Sequence, residues 1–221
     1  MKILCISDQI DPLIYNNRIK EMYKDVDIVL SAGDLPMQYL DFIVSSLNVP
    51  TYFVFGNHNL KELSYYEKGM SSTHTYMLAT EKMKHFHGAV YSGFQVKKAK
   101  NVLIVGCSGS LRYNNGLSQY TEHEMKWKLI KMLPQLLVNK ICYGRYVDIF
   151  LTHAAPFNIQ DRKDACHKGF KSYRWFIKKF KPKYMIHGHI HLYDVNEPRI
   201  TEWEGCTIIN AFSHYILNYE E

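Results

Sequence analysis

"KYMIHGHIH" occupies residues 183–191. The first five residues read as a short buried β-strand. The chain then turns at Gly188 and presents His189 and His191. Two histidines two positions apart on an extended segment point to the same side. Four other apolar runs end in a comparable way. "KILCIS" (2–7) runs to Asp8, and "DIVLSA" (27–32) runs to Gly33-Asp34. "TYFVF" (51–55) runs to Gly56-Asn57-His58, and "VDIFL" (147–151) runs to Thr152-His153. In α/β sheets ligands bind beyond the C-terminal ends of the strands, so these endings are expected to meet at one edge.

Each of these residues has a plainer reading when taken singly. An Asp after a strand is ordinarily a turn or capping residue, and a lone His is ordinarily a hydrogen-bonded core or surface residue. The repetition of the pattern outweighs those readings. Hard oxygen donors mixed with imidazoles suit a divalent transition metal such as Mn²⁺, Fe²⁺ or Zn²⁺. The donors outnumber the needs of one ion. Two ions sharing a carboxylate, about 3.5–4 Å apart, form a clamp used for phosphoryl chemistry. Gly33, Gly56 and Gly188 each precede a candidate ligand, and glycine permits sharp turns and close approach of backbone to a bound group.

The remaining pattern places these runs in an α/β fold. Helix-like stretches at 16–24, 37–47 and 171–180 alternate with the apolar runs. Residues 89–107, "AVYSGFQVKKAKNVLIVGC", read as two antiparallel strands joined at Lys97 to Lys100. Residues 121–139 form the longest helical candidate, with a capping box at Thr121 and Glu124 and with Pro134 dividing or kinking it. A further strand, "CTIINA", spans 206–211. A sandwich of sheets flanked by helices accommodates this order better than one doubly wound sheet.

A chain of 221 residues suits one domain with a sizeable core. It has no uninterrupted apolar run of about 18 residues, which argues against a spanning helix. "MKILCISDQI" lacks the h-region and cleavage site of a signal peptide, so a cytoplasmic protein is expected. The five cysteines are scattered and form no CxxC pair, which argues against a disulfide framework or a zinc knuckle. A net charge of +6 suits anionic partners such as phosphates, nucleic acid or acidic lipid, and equally a merely solvated surface. Nothing in the sequence addresses oligomeric state.

The pieces "SDQI", "AGDL", "GNHN", "THAAP" and "GHIH" occur in that order between residues 8 and 191. They resemble the calcineurin-like metallophosphoesterase family, whose signature is D-x-H, G-D, G-N-H-[DE], an isolated H and G-H-x-H, each after a strand. The stretch ending in "KYMIHGHIH" also looks like the small, single-domain phosphodiesterase branch. The resemblance implies an α/β fold of one domain over 1–221, a four-layer α/β/β/α sandwich of mixed sheets. It further implies a dinuclear metal-dependent hydrolase of phosphate esters acting by in-line attack of a metal-bridging hydroxide. By that resemblance Asp34 bridges the two ions, Asp8 and His191 hold the first, and Asn57, His153 and His189 hold the second. His58 stands beside them as the catalytic residue, stabilising the transition state or protonating the leaving oxygen.

Two positions depart from the signature. Ile10 stands where the third residue of D-x-H is a histidine. Asp11 replaces the lost ligand from the next position, or water fills the place, or the first site binds weakly. All three outcomes leave the site richer in oxygen, which favours Mn²⁺ or Mg²⁺ over softer ions. Asn59 stands where an acid is usual and is expected to tune His58. Outside the signature, Arg112 in "SLRYNNG" is a candidate phosphate-binding group, its plainer reading being a surface arginine. His74, His85, His87, His123 and His214 match no signature position, and His187 is expected in the core. Residues 113–146 are basic and amphipathic and read as a lid or as a flanking helical segment, with peripheral membrane contact as a further reading. Nucleic acid is a weaker alternative partner, since aromatic and basic residues mix only around 171–184. A diester substrate leads, followed by a monoester. A metal-binding interaction protein with a weakened site is the reading that Ile10 raises.

Overall fold

The computed structural model describes residues 1–66, 88–194 and 196–220. His74, His85 and His87 lie outside the described residues. The strands in chain order are β1 (Lys2–Ser7), β2 (Ile28–Ser31), β3 (Thr51–Phe53), β4 (Val90–Tyr91), β5 (Gln95–Ala99), β6 (Val102–Cys107), β7 (Ser110–Leu111), β8 (Gln119–Tyr120), β9 (Ile149–Thr152), β10 (Tyr184–His187), β11 (Ile200–Trp203), β12 (Cys206–Asn210) and β13 (Ser213–Asn218). The helices are α1 (Ile19–Met22), α2 (Met37–Leu47), α3 (Leu63–Tyr66), α4 (Glu122–Lys131), α5 (Leu133–Tyr143) and α6 (Lys171–Phe180).

Two mixed sheets carry the fold. The first has the order β13-β1-β2-β3-β4 and the second β11-β12-β10-β9-β6-β5. β1 to β4 run parallel, and β13 pairs antiparallel with β1, Lys2 opposite Asn218. In the second sheet β6, β9, β10 and β12 run parallel between antiparallel edges. Side-chain alternation then builds the layers. Ile3, Cys5, Ile28 and Leu30 face Ile104, Ile149, Leu151 and Ile186 across the space between the sheets. Leu4, Ile6 and Val29 point the other way, onto Ile19 of α1 and Met37, Leu40 and Ile43 of α2. On the far side Val105, Phe150 and Met185 pack under Leu129 of α4, Leu136 of α5 and Phe176 of α6. The result is the expected helix–sheet–sheet–helix sandwich.

Several elements differ in detail from their sequence readings. Only Val102–Cys107 and Gln95–Ala99 form the hairpin, turning at Lys100 and Asn101; Lys97 and Lys98 are strand residues, and Val90–Tyr91 joins the first sheet beside β3. The long helix is divided at Met132, with Pro134 in the first turn of α5, where its missing N–H is harmless. The capping box forms as read: Thr121 Oγ1 accepts from the Glu124 N–H, and the Glu124 carboxylate accepts from the Thr121 N–H at 2.7 Å. The helices of 113–146 lie on the outer face of the second sheet through Met125, Leu129 and Leu136, all fully buried. Among the described residues no helix is long and apolar enough to cross a membrane.

Candidate metal centre

β1, β2 and β3 of one sheet and β9 and β10 of the other end at the same edge, and the residues after them converge. His153 Nε2 lies 3.3 Å from Asp34 Oδ2, 3.0 Å from Asn57 Oδ1 and 3.1 Å from His189 Nδ1. Donor atoms of Asp34, His153 and His189 all fall within 4.8 Å of one another. Asp8 sits beside them, its carboxylate accepting the His189 N–H at 2.9 Å. His191 Nε2 stands 3.7 Å from Asp8 Oδ1. The backbone is strained at these positions. Asp8, Asp34 and His189 have φ of 64°, 58° and 67°, in the left-handed region that L-residues rarely occupy. Such strain persists where surrounding structure enforces it, typically at functional sites. The glycines make room: a Cβ on Gly56 would run into Asp34 Oδ1 and His153, and one on Gly188 into Ser7 and Asp8.

Hydrogen bonds around the imidazoles fix which nitrogens carry lone pairs. His153 Nδ1 faces the Ala32 carbonyl at 2.8 Å, so it must donate there. His189 Nε2 faces the Cys166 carbonyl at 2.8 Å and must donate likewise. In the neutral rings the lone pairs of His153 Nε2 and His189 Nδ1 therefore point at each other, alongside the Asp34 carboxylate and the Asn57 carbonyl. Four acceptors facing one point require a cation. A proton on His153 is the simplest occupant. Burial alone pushes that imidazole down, yet the Asp34 carboxylate lifts it to about 9. Burial likewise pushes Asp34 up, and His153 with the His58 N–H brings it down to about 2. His189 is pushed below its ordinary value by burial and by His153, which keeps it neutral. The donor set fits a divalent ion, which would displace that proton.

The family profile of calcineurin-like phosphoesterases matches residues 1–193. The chain belongs to that family. Membership supports a metal-dependent phosphoester hydrolase. No curated protein matches the chain. Among solved structures, one aligns over 98% of this chain and 94% of its own with 17% identity and a TM-score of 0.64. Another, TT1561 of Thermus thermophilus, aligns over 96% and 89% with 14% identity and a TM-score of 0.61. At such identities the likeness shows the fold alone.

In this phosphoesterase the residues expected for the second ion, Asp34, Asn57, His153 and His189, are together and buried or nearly so. The first set is thinner: Asp8 and His191 stand together, and Ile10 is 41% exposed. Asp11 is not turned toward the ligands by any described contact. Its carboxylate is bonded to Ser213 Oγ, to His214 Nδ1 at 2.5 Å and to the Leu13 N–H at 2.8 Å. The turn before Pro12 does redirect Asp11, but onto β13. Arg112 likewise has other partners. Its guanidinium reaches both Glu124 oxygens at 2.9 and 3.1 Å and the Gln119 carbonyl. Asn59 donates to the Asp34 carbonyl at 2.9 Å. A carboxylate could not donate there, so Asn59 acts on the Asp34 turn rather than on His58. His58 is exposed and anchors the same carboxylate through its N–H at 2.7 Å. His187 is fully buried and bonded to Gln160, a core residue as expected.

Sequence reading missed the outer support of the phosphoesterase site. Tyr113 Oη accepts from Asn57 Nδ2 at 3.1 Å, which turns the Asn57 carbonyl toward His153. Cys166 fixes His189 through its carbonyl. The His167 ring lies 5.2 Å from that of His189 and is held by Asp164. Their only sequence signal was adjacency: Tyr113 follows Arg112, and "DACHKGF" precedes α6.

Proposed function

We propose that this chain is a Mn²⁺-dependent phosphodiesterase with His58 as its catalytic residue and with Asp8, Asp34, Asn57, His153, His189 and His191 as its metal ligands. The observation that supports it is the cluster of four acceptors that His153 Nε2 forms with Asp34, Asn57 and His189. Divalent cations held there would supply Lewis acidity and a nucleophilic water near neutral pH. The chain's own residues do the rest. Asp34 offers one carboxylate oxygen to the cluster while the His58 N–H holds the other. The Ala32 and Cys166 carbonyls hold the rings of buried His153 and His189 with Nε2 and Nδ1 turned to the cluster. His58, exposed at the rim, stabilises the transition state or protonates the leaving ester oxygen. Oxygen-rich donors favour Mn²⁺ over Zn²⁺, with Fe and Mg²⁺ as alternatives. One domain over 1–221 goes with this reading, because β13 near the C-terminus pairs with β1. A cytoplasmic setting goes with it too, since the five cysteines are free thiols.

Ile10 favours one second reading, a metal-binding interaction protein with a weakened first site. The experiment is a comparison of kcat/KM for bis-para-nitrophenyl phosphate and para-nitrophenyl phosphate with Mn²⁺, in wild type and His58→Ala. The diester should be the better substrate, and His58→Ala should lower kcat on it by about 10²–10⁴ without weakening Mn²⁺ binding. A preference for the monoester would replace diesterase by phosphatase. Binding of Mn²⁺ with neither ester hydrolysed would favour the interaction protein.

A further inference from the structure

The other end of the second sheet holds a cavity of about 460 Å³, within the size range of small-molecule sites. It lies where β9 and β10 begin, whereas the metal ligands lie where they end. β10 (Tyr184–His187) lies between Lys183 and His189 and alone spans roughly 10 Å at about 3.3 Å per strand residue. Four cations line the cavity, Lys98, Arg145, Lys181 and Lys183, against one carboxylate, Asp148. That carboxylate is already committed, to Arg145 Nε at 2.6 Å and to the Leu103 N–H at 2.8 Å. Lys181 shares Glu204 with Lys178.

Lys98 and Lys183 are different. Among the described residues neither has a carboxylate partner. Tyrosine rings hold both: Lys98 Nζ is 4.3 Å from the Tyr143 centroid, and Lys183 Nζ is 5.7 Å from that of Tyr219. Lys183 also donates to the Glu220 carbonyl at 2.6 Å. An aromatic face positions an ammonium without neutralising it. Buried Leu103 and Val147 form part of the wall, and apolar surroundings strengthen the attraction of a fixed charge for an incoming one. The geometry points to a second anion site in this cavity, one that takes a phosphate group on Lys98 and Lys183 and the organic part of its ester against Tyr143 and Tyr219. This inference is independent of the catalytic reading.

The phosphate could be free or lipid-borne. α5 leaves Leu137, Val138 and Ile141 exposed, Ile141 by 84%, and ends at Tyr143 on the cavity wall. Two probes separate the sources: inorganic pyrophosphate titrated into the full chain by amide-resolved NMR, and flotation with phosphatidylcholine vesicles containing a phosphoinositide. Each is run on wild type and on Lys98→Glu/Lys183→Glu, two exposed substitutions that leave ester hydrolysis unchanged. A free ligand predicts saturable shifts at the amides of Lys98, Tyr143, Lys183 and Tyr219, weakened at least tenfold in the double variant. A lipid-borne one predicts vesicle binding by wild type that the double variant loses. Shifts confined to the strand-end site, equal binding by the double variant in both arms, or no binding of either probe by wild type overturns the inference.

Discussion

The Asp11 carboxylate is buried, with Ser213, His214 and the Leu13 N–H as its partners. Burial alone would raise its pKa, but these hydrogen bonds hold it below the ordinary 3.8. A native pKa depressed in this way stabilises the fold above the unfolded value and loses that contribution as pH falls through the lower native one. Asp11→Asn should therefore lower stability by about 1–3 kcal/mol at neutral pH, and the gap from wild type should close on acidification. Urea denaturation from pH 7 down to pH 2 measures this. In the same variant the Mn²⁺ requirement for hydrolysis should be unchanged; a tenfold rise would return Asp11 to the ligand set. A replacement for the missing histidine at Ile10 was a sound expectation from position, because Asp11 is adjacent and acidic. The sequence could not reveal that β13, some 200 residues on, brings Ser213 and His214 to claim it.

At the scale of elements, each ligand depends on how its strand stops. Asp8, Asp34 and His189 occupy left-handed backbone, Asp8 directly after β1 and the other two shortly beyond β2 and β10. Gly56 lets the turn after β3 pass against Asp34 and His153. Gly56→Ala should keep the far-UV circular dichroism of wild type yet bind Mn²⁺ at least tenfold more weakly by calorimetric titration, because the methyl displaces two ligand side chains. Wild-type affinity in that variant would show that the turn has slack. Strand endings were the legible part of this chain, since apolar runs of five or six residues leading into Gly, Asp, Asn or His stand out against their surroundings. Helix α6 was legible to the residue, and Pro134 marked the break between α4 and α5. β11 and β13 were not, for their mostly half-exposed residues carry no comparable apolar run.

For the whole molecule, two sheets from distant parts of the chain must face each other before any site exists. Asp34 and Asn57 come from the first sheet, His153 and His189 from the second, and the shared core of Ile3, Leu30, Ile149 and Ile186 sets their spacing. The order of signature pieces made the α/β/β/α sandwich legible; the supporting contacts of Tyr113 and Cys166 were not, because both lie in irregular segments with no periodicity to read. The central claim is that the strand-end cluster is a cation-dependent centre of phosphoester hydrolysis. Its most direct test strips the protein of metal and assays bis-para-nitrophenyl phosphate as Mn²⁺ is added back, for wild type and for Asp34→Asn. The account predicts no turnover without metal, recovery on addition of Mn²⁺, and loss of more than about a hundredfold in the variant, beyond what displacement of an outer-shell partner typically produces. Metal-independent turnover, or an Asp34→Asn variant as active as wild type, would contradict it.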